Sequence, residues 1–527
     1  MTAVSIAPPR QAADRPTLRV AANSPFAAVP PALKVTVRLL LGASLAAVIS
    51  AYALQTLDLQ RKSYGEGPIL ATVQRMRSEP VSAEWFRAPD YTLSCYGPVY
   101  YWVFDLAARL GGSRHSIIPG RLVSLAAALA IAALAAWVVR RETRSVELGL
   151  LAPLAFLVSP TVSYWMPYAR VDMLALLATL GAYAVLGSKR KSVVAAAALI
   201  AAGSLVKPTC ALAALPIVAH LIVWRRWRHA IVFSLVVAAL GAVAWGAVQW
   251  WSRGFFLTSV LVGNRNQMIP WRGYAYGYEF LASPLGTSAM LVVVYLLVTE
   301  PDKALRSLWC LGFLLSLGTS FVTVCKNGSD HNYFLDPALL ASFVVAACGA
   351  TRLSAAQPRR ALAALAGLAV VLMLPSAREI KVVVRSLGGP TEEYARVREL
   401  LREEPADVGL LADGECVDVA LAAGHRPWVN DSFLYMLLVA NGTLDERELL
   451  DAMRQGRIKW LLLHNTVDRQ IEKMARKSRV WPANVILAMK RHYELVEHTG
   501  ETYIYRHATV RNGSLNVSRY DTARGQE

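Results

Sequence analysis

Residues 39–57 read Leu-Leu-Leu-Gly-Ala-Ser-Leu-Ala-Ala-Val-Ile-Ser-Ala-Tyr-Ala-Leu-Gln-Thr-Leu, and shortly after comes Ser63-Tyr64-Gly65-Glu66-Gly67-Pro68. The first stretch is apolar enough to cross a hydrocarbon layer, which takes about 20 residues as a helix. It starts well into the chain and similar blocks follow, so it reads as a retained anchor and not as a cleaved signal peptide. Leu122–Val139 and Val193–Val206 repeat its Ala/Leu/Val character. The 527 residues are 55% hydrophobic and 17% charged, with a mean hydropathy of +0.36. That is too apolar for an ordinary soluble protein.

A net charge of +18 would suit a nucleic-acid partner. The cations, however, fall in short clusters between apolar blocks, with no aromatic-interleaved basic module, so the pattern is a topology signal and excludes nucleic acid. Basic residues enrich cytoplasmic loops. That assigns inside Arg10, Arg15, Arg19 and Lys34, then Arg140-Arg141, Lys189-Arg190-Lys191, Arg225-Arg226, Lys303 with Arg306, and Arg352 through Arg360. Two crossings fit between successive clusters, with one span before the first outer loop and one after (Ala361–Leu374). The expectation is a polytopic α-helical membrane protein of about 11 transmembrane helices, N-terminus cytoplasmic and C-terminal region extracytoplasmic. Lys207-Pro208 breaks Val193–Val223 into a hairpin, because proline cannot continue the helix.

Three parts follow from this pattern. Residues 1–34 are Pro/Ala-rich and expected to be a disordered cytoplasmic segment; residues 35–376 form the membrane body. From residue 377 to 509, charged helices alternate with β-rich runs at Val408–Ala412, Trp460–Leu463, Tyr493–Glu497 and Thr502–Tyr505, the signature of a small α/β domain. Residues 510–527 are a polar, flexible tail. No internal repeat is evident. The cysteines lack CxxC spacing and read as buried small hydrophobes, so neither a metal site nor a cofactor is indicated.

Two outer loops are long, 58–117 and 251–284. In the first, Pro68–Arg77 reads as a short amphipathic helix. Tyr96-Gly97-Pro98-Val99-Tyr100-Tyr101-Trp102 is an aromatic run suited to the headgroup layer. In the second, Trp271-Arg272-Gly273-Tyr274-Ala275-Tyr276-Gly277-Tyr278 mixes glycine with aromatics, as a loop that closes over a lipid or sugar would, or as a plain interfacial anchor. Glu66, between two glycines that expose it, is a candidate general base, or a cap of the following helix. Asp172 is a second acid, or a cap, or a partner for Arg170. Lys207 needs an anion inside an apolar hairpin: a phosphate, or one of the acids. Lys326-Asn327-Gly328-Ser329-Asp330-His331-Asn332-Tyr333 is a donor-rich turn. Arg121 opens a span, where it would also serve as a snorkelling anchor. All of these fall on one side of the membrane, which suggests chemistry on an anionic lipid.

At these residues the chain resembles the C superfamily of glycosyltransferases (GT-C), specifically the bacterial family-39-like proteins related to protein O-mannosyltransferases and the lipid A aminoarabinose transferase. The matching pieces are Tyr64-Gly65-Glu66-Gly67-Pro68, the aromatic run from Tyr96, Gly120-Arg121-Leu122, Arg170-Val171-Asp172, Lys207-Pro208-Thr209 and Asn332-Tyr333-Phe334-Leu335, in order, within residues 35–376. The resemblance implies an integral membrane enzyme moving a sugar from a polyprenyl-phosphate donor to a lipid, glycan or protein acceptor on the extracytoplasmic face, without an obligatory metal. It implies Glu66 or Asp172 as the catalytic acid, with Tyr64, Tyr96, Arg121, Arg170, Lys207, Lys326, His331, Asn332 and Tyr333 binding substrate. Many relatives carry an Asp-Glu pair where Gly65 precedes Glu66 here, which leaves Asp58 and Asp90 as further candidates for the base. The composition suits a bacterial inner membrane. The rival readings are a lipid or polysaccharide transporter, whose intramembrane charges would mark a path, and a non-catalytic assembly factor of the cell envelope.

Overall fold

The computed structural model describes residues 24–59, 63–187, 192–386, 392–475 and 480–508. The expectations for residues 1–23, for Lys189-Arg190-Lys191 and for the tail 510–527 lie outside them. Among the described residues, Pro31–Leu57, Ile118–Thr143, Trp227–Trp251 and His331–Ala356 are long and apolar enough to cross a membrane. A fifth candidate, Pro270–Ala282 with Pro284–Thr299, is bent by 84° at Ser283. Val146–Leu157, Asp172–Leu186, Val193–Ser204, Pro208–Val223 and Leu308–Thr323 are apolar but shorter. Together they make a multi-pass membrane protein, one whose span count rests on how the short helices pair. His331–Ala356 passes through a π-helical stretch, Val344–Ala350.

Local chemistry sets the breaks. Lys207 is extended (φ −136°, ψ 116°), as the residue before a proline must be, and Pro208–Ala213 then continues as a 3-10 turn. The first outer loop folds into helices Glu66–Ser78, Glu84–Arg87 and Pro98–Leu110. In the second, the run from Trp271 is not an open loop but the helix Pro270–Ala282. The physical reason lies in its glycines. A Cβ at Gly277 would strike the ring of Phe321, and one at Gly273 would strike Phe321 and Cys325. They serve close packing, not mobility.

The C-terminal part forms a four-stranded sheet, β1 (Gly409–Ala412), β2 (Ile458–Leu463), β3 (Tyr493–Thr499) and β4 (Thr502–His507), in the order β1-β2-β4-β3. β1 and β2 run parallel, joined through helices Val417–Ala422, Ser432–Ala440 and Arg447–Arg454. β3 and β4 form a hairpin through Gly500-Glu501. The sheet does not close its core alone. Leu410, Leu461 and Tyr435 share one apolar cluster with Leu70, Trp85, Tyr100 and Phe104 of the first loop. Asn430, fully enclosed, ties the two together. Its amide nitrogen donates to Pro68 O (3.3 Å), Thr72 Oγ1 (3.2 Å) and Leu93 O (3.2 Å), and its oxygen accepts from Leu93 N (2.8 Å).

Candidate active site

Where the sheet meets the membrane body there is a cavity of about 950 Å³, at the upper end of the usual range for small-ligand sites. Of the residues expected from sequence, Tyr64, Tyr96, Arg170, Lys207, Lys326, Asn332 and Tyr333 line it. Lys207 leaves the hairpin break and donates to Asp172 Oδ1 (2.7 Å), which also accepts from Asn332 Nδ2 (3.0 Å). The internal ion pair considered for Lys207 is therefore present. Arg170 lies 3.6 Å by its Nε from Asp172 Oδ2, donates through Nη2 to the Tyr96 hydroxyl (3.1 Å) and stacks on Trp165. Tyr333 presents its ring to Lys207 Nζ at 4.8 Å and to Lys326 Nζ at 5.9 Å. Such contacts hold a cation without neutralising it.

Lys326 and Arg272 are held by neutral oxygens. Lys326 Nζ donates to Asn264 Oδ1 (2.5 Å), and Arg272 donates to Asn327 Oδ1 (3.2 Å) and Ser329 O (2.9 Å). Neither forms an ion pair among the described residues.

Four expected residues stand apart from the cavity. Glu66 is 2% exposed. Its oxygens accept from Arg121 Nε and Nη2 (both 2.7 Å), from Ala169 N (2.7 Å) and from Ser63 N (3.3 Å). The neighbouring glycines do not leave it unshielded. They let Arg170 and the backbone of Gly414 pack against the loop instead. Arg121 does not snorkel: it is fully buried by this pair, and its Nη1 also donates to Asp58 O (2.7 Å). Asp172 is buried beside a small side cavity shared with Lys207, Asn332 and Asp336. His331 lies between Glu279 and Asp330 (3.4 Å each) with its ring against Tyr276. Asp58 and Asp90 do not line the cavity.

Sequence reasoning missed the opposite wall. Glu415, Asp431, Phe433, His464 and Glu501 come from the C-terminal part and line the same cavity. Asp431 accepts from the Tyr64 hydroxyl (2.7 Å) and from Leu434 N (2.8 Å), while burial pushes its carboxyl above the usual range. The available signal was positional: Glu415 and His464 sit just after β1 and β2, at the carboxyl ends of strands, where open α/β sheets receive ligands. No cluster of three His, Cys, Asp or Glu side chains among the described residues is placed to hold a metal.

No family model and no curated protein matches the chain by sequence. Solved structures do. ArnT from Cupriavidus metallidurans bound to undecaprenyl phosphate superposes with a TM-score of 0.56 at 14% identity, covering 89% of this chain and 97% of that one. Its apo form gives 0.57 at 13% identity, with the same coverage. The archaeal oligosaccharyltransferase AglB from Archaeoglobus fulgidus, in complex with an inhibitory peptide and a dolichol-phosphate, gives 0.53 at 12% identity, covering 87% of this chain and 74% of that one. This chain shares the fold of both proteins.

Proposed function

We propose that the protein is an integral membrane glycosyltransferase that takes a sugar from a polyprenyl-phosphate donor and passes it to an acceptor on the extracytoplasmic face of a bacterial inner membrane. The observation that carries this reading is the pair of cavity-lining cations, Lys326 and Arg272, held only by neutral oxygens beside Arg170 and Lys207. Two cations that lack an ion-pair partner among the described residues, set in an apolar body, call for an anionic ligand. A lipid phosphate supplies one and is also a competent leaving group, its departing charge stabilised by the same side chains. The fold shared with an enzyme bound to undecaprenyl phosphate and another bound to dolichol-phosphate supports the same ligand class.

In this reading Tyr96, Arg170, Lys207, Lys326, Asn332 and Tyr333 grip the donor headgroup, and Arg272 joins them. Glu66 and Asp172 act as positioning residues. Glu66 pins Arg121 and the loop that carries Tyr64 and Gly65, while Asp172 orients Lys207 and Arg170. The oxygens of Glu66 are already taken by four donors and do not line the cavity, so they are not placed to meet an acceptor hydroxyl. The test is incubation of the purified protein with a panel of prenyl-phosphate hexoses and pentoses and candidate acceptors, with products read by mass spectrometry. A glycosylated acceptor plus free prenyl phosphate is expected; a donor panel left wholly unconsumed would count against the reading.

A further inference from the structure

The carboxyl ends of the two parallel strands open on the cavity. Asp413-Gly414-Glu415 follows β1 and His464 follows β2. The Gly500-Glu501 turn lies alongside, since Leu463 at the end of β2 pairs with Tyr503 of β4. One sheet edge thus presents Glu415, His464 and Glu501 to the space that Arg170, Lys207 and Lys326 line from the other side.

The histidine is oriented. Its backbone N–H donates to Asp413 Oδ2 (3.0 Å). Its Nδ1 is sealed from solvent without a hydrogen-bond partner and faces Glu501 Oε2 at 3.7 Å, while the side chain as a whole is 33% exposed. His464 lines the cavity, and Nε2 is the ring nitrogen that does not face Glu501. An imidazole with one nitrogen turned to a carboxylate and the other to a ligand space is arranged to take a proton from a hydroxyl. Among the described residues, Glu501 from the hairpin turn and Asp413 and Glu415 from the end of β1 lie near it.

The two walls are close. Gly414 packs on the ring of Tyr64, and Arg170 packs on Gly65. Arg170, nine-tenths buried, lines the same cavity while its Nε faces Asp172 Oδ2 at 3.6 Å.

Resting on the glycosyltransferase reading above, we propose that His464, oriented by Glu501, is the general base that deprotonates the acceptor, and that Glu415 helps seat a neutral, hydroxyl-bearing acceptor such as a glycan end. The acceptor hydroxyl gives its proton to His464 Nε2 as its oxygen bonds to the anomeric carbon. The bond from that carbon to the phosphate oxygen breaks, and its electron pair leaves with the prenyl phosphate held by the cations. A phosphorylated acceptor end would meet Glu415, Asp431 and Glu501 and be repelled.

The experiment uses the full chain in lipid nanodiscs, with undecaprenyl-phosphate sugars as donors and neutral or phosphorylated oligosaccharides as acceptors. His464→Asn is expected to lower turnover by ~10²–10⁴-fold. It should also abolish the loss of rate that wild type shows as pH is lowered, and leave the binding of undecaprenyl phosphate unchanged. Glu501→Gln, at a turn where the side chain is 57% exposed, should fold normally and lose turnover to a smaller degree without a change in donor KM. Neutral acceptors should outrun phosphorylated ones. A His464→Asn protein with wild-type turnover and an unchanged pH profile overturns the proposal. If that variant does not fold, wild-type turnover in both Glu501→Gln and Glu415→Gln overturns it instead. A wild type that transfers from no donor removes the glycosyltransferase reading and this proposal together, whereas transfer by wild type and His464→Asn alike removes this proposal alone.

Discussion

The cavity has two faces of opposite character. The face built by the membrane body carries Arg170, Lys207 and Lys326 at helix breaks and interhelical turns and Arg272 in the first turn of Pro270–Ala282. The face built by the sheet carries Glu415, Asp431, Glu501 and His464, set at strand ends and on the segment that Asn430 fastens to the first loop. Cations set among apolar helices are costly unless an anion meets them, whereas Glu501, 57% exposed at its turn, costs little. Under the proposed function, the contrast amounts to a division of labour in which one face would receive a lipid phosphate and the other what is to be modified.

The largest expected effect comes from stripping the cationic face. Lys207→Met should lower transfer by ~10²–10³-fold, the scale lost when one charge-stabilising group is removed. It should weaken undecaprenyl phosphate binding in a titration as well. Loss of transfer with donor binding intact would move Lys207 from grip to chemistry and blur the contrast between the faces.

Next is the closed acid. Glu66→Gln leaves Arg121 buried without its charge partner and should cost about 3–5 kcal/mol of stability. The double variant Glu66→Gln/Arg121→Met should recover part of that loss in thermal unfolding. A Glu66→Gln protein as stable as wild type yet inactive would instead favour a chemical role for this carboxylate.

How much of this was legible in the sequence can be judged from particular residues. Trp227–Trp251 and Pro31–Leu57 announce themselves, because an uninterrupted apolar run has few other places to go. Lys207-Pro208 marks its own break, and the four strands fall where β-rich runs lie between turn residues. Lys207 stands out as a cation in an apolar hairpin, Arg170 as a partner two residues before Asp172, and Lys326 as part of a donor-rich turn. What local sequence could not show was pairing across distance. Arg121 meets Glu66 from 55 positions away and turns an apparently bare carboxylate into a sealed one. Asp431 meets Tyr64 from 367 positions away, which is how the acidic wall escaped notice. The aromatic-glycine run from Trp271 misled for another reason: its glycines answer to Phe321, a partner that only the fold supplies.

A smaller effect tests how the acidic face is mounted. Asn430→Ala removes the buried partners of Leu93 N and Leu93 O and should cost roughly 1–3 kcal/mol, as expected for an unsatisfied buried polar group. Faster amide exchange at Leu93, with little change at Lys207, would confirm that the wall moves as a unit against the floor. Uniform destabilisation would show the two to be one cooperative block.

The acidic face also carries a pH dependence. Burial, with Glu415 nearby, pushes the Asp413 carboxyl up to about 7, although Trp481, His464 and Gln470 donate to it. A folded-state value above the unfolded one of about 3.9 means that the folded chain holds the proton more tightly. Stability from this group is therefore full below about pH 4 and declines as pH rises to about 7, with no further change above. Chemical denaturation followed by Trp481 fluorescence should report the decline, and Asp413→Asn should flatten it.

The central claim, that the cationic face is built for a lipid phosphate, is tested most directly by native mass spectrometry of the purified protein with undecaprenyl phosphate and with undecaprenol. We predict that the phosphate binds, that the alcohol of the same chain length binds far more weakly, and that Lys207→Met narrows the difference. Equal binding of the two lipids would contradict the account.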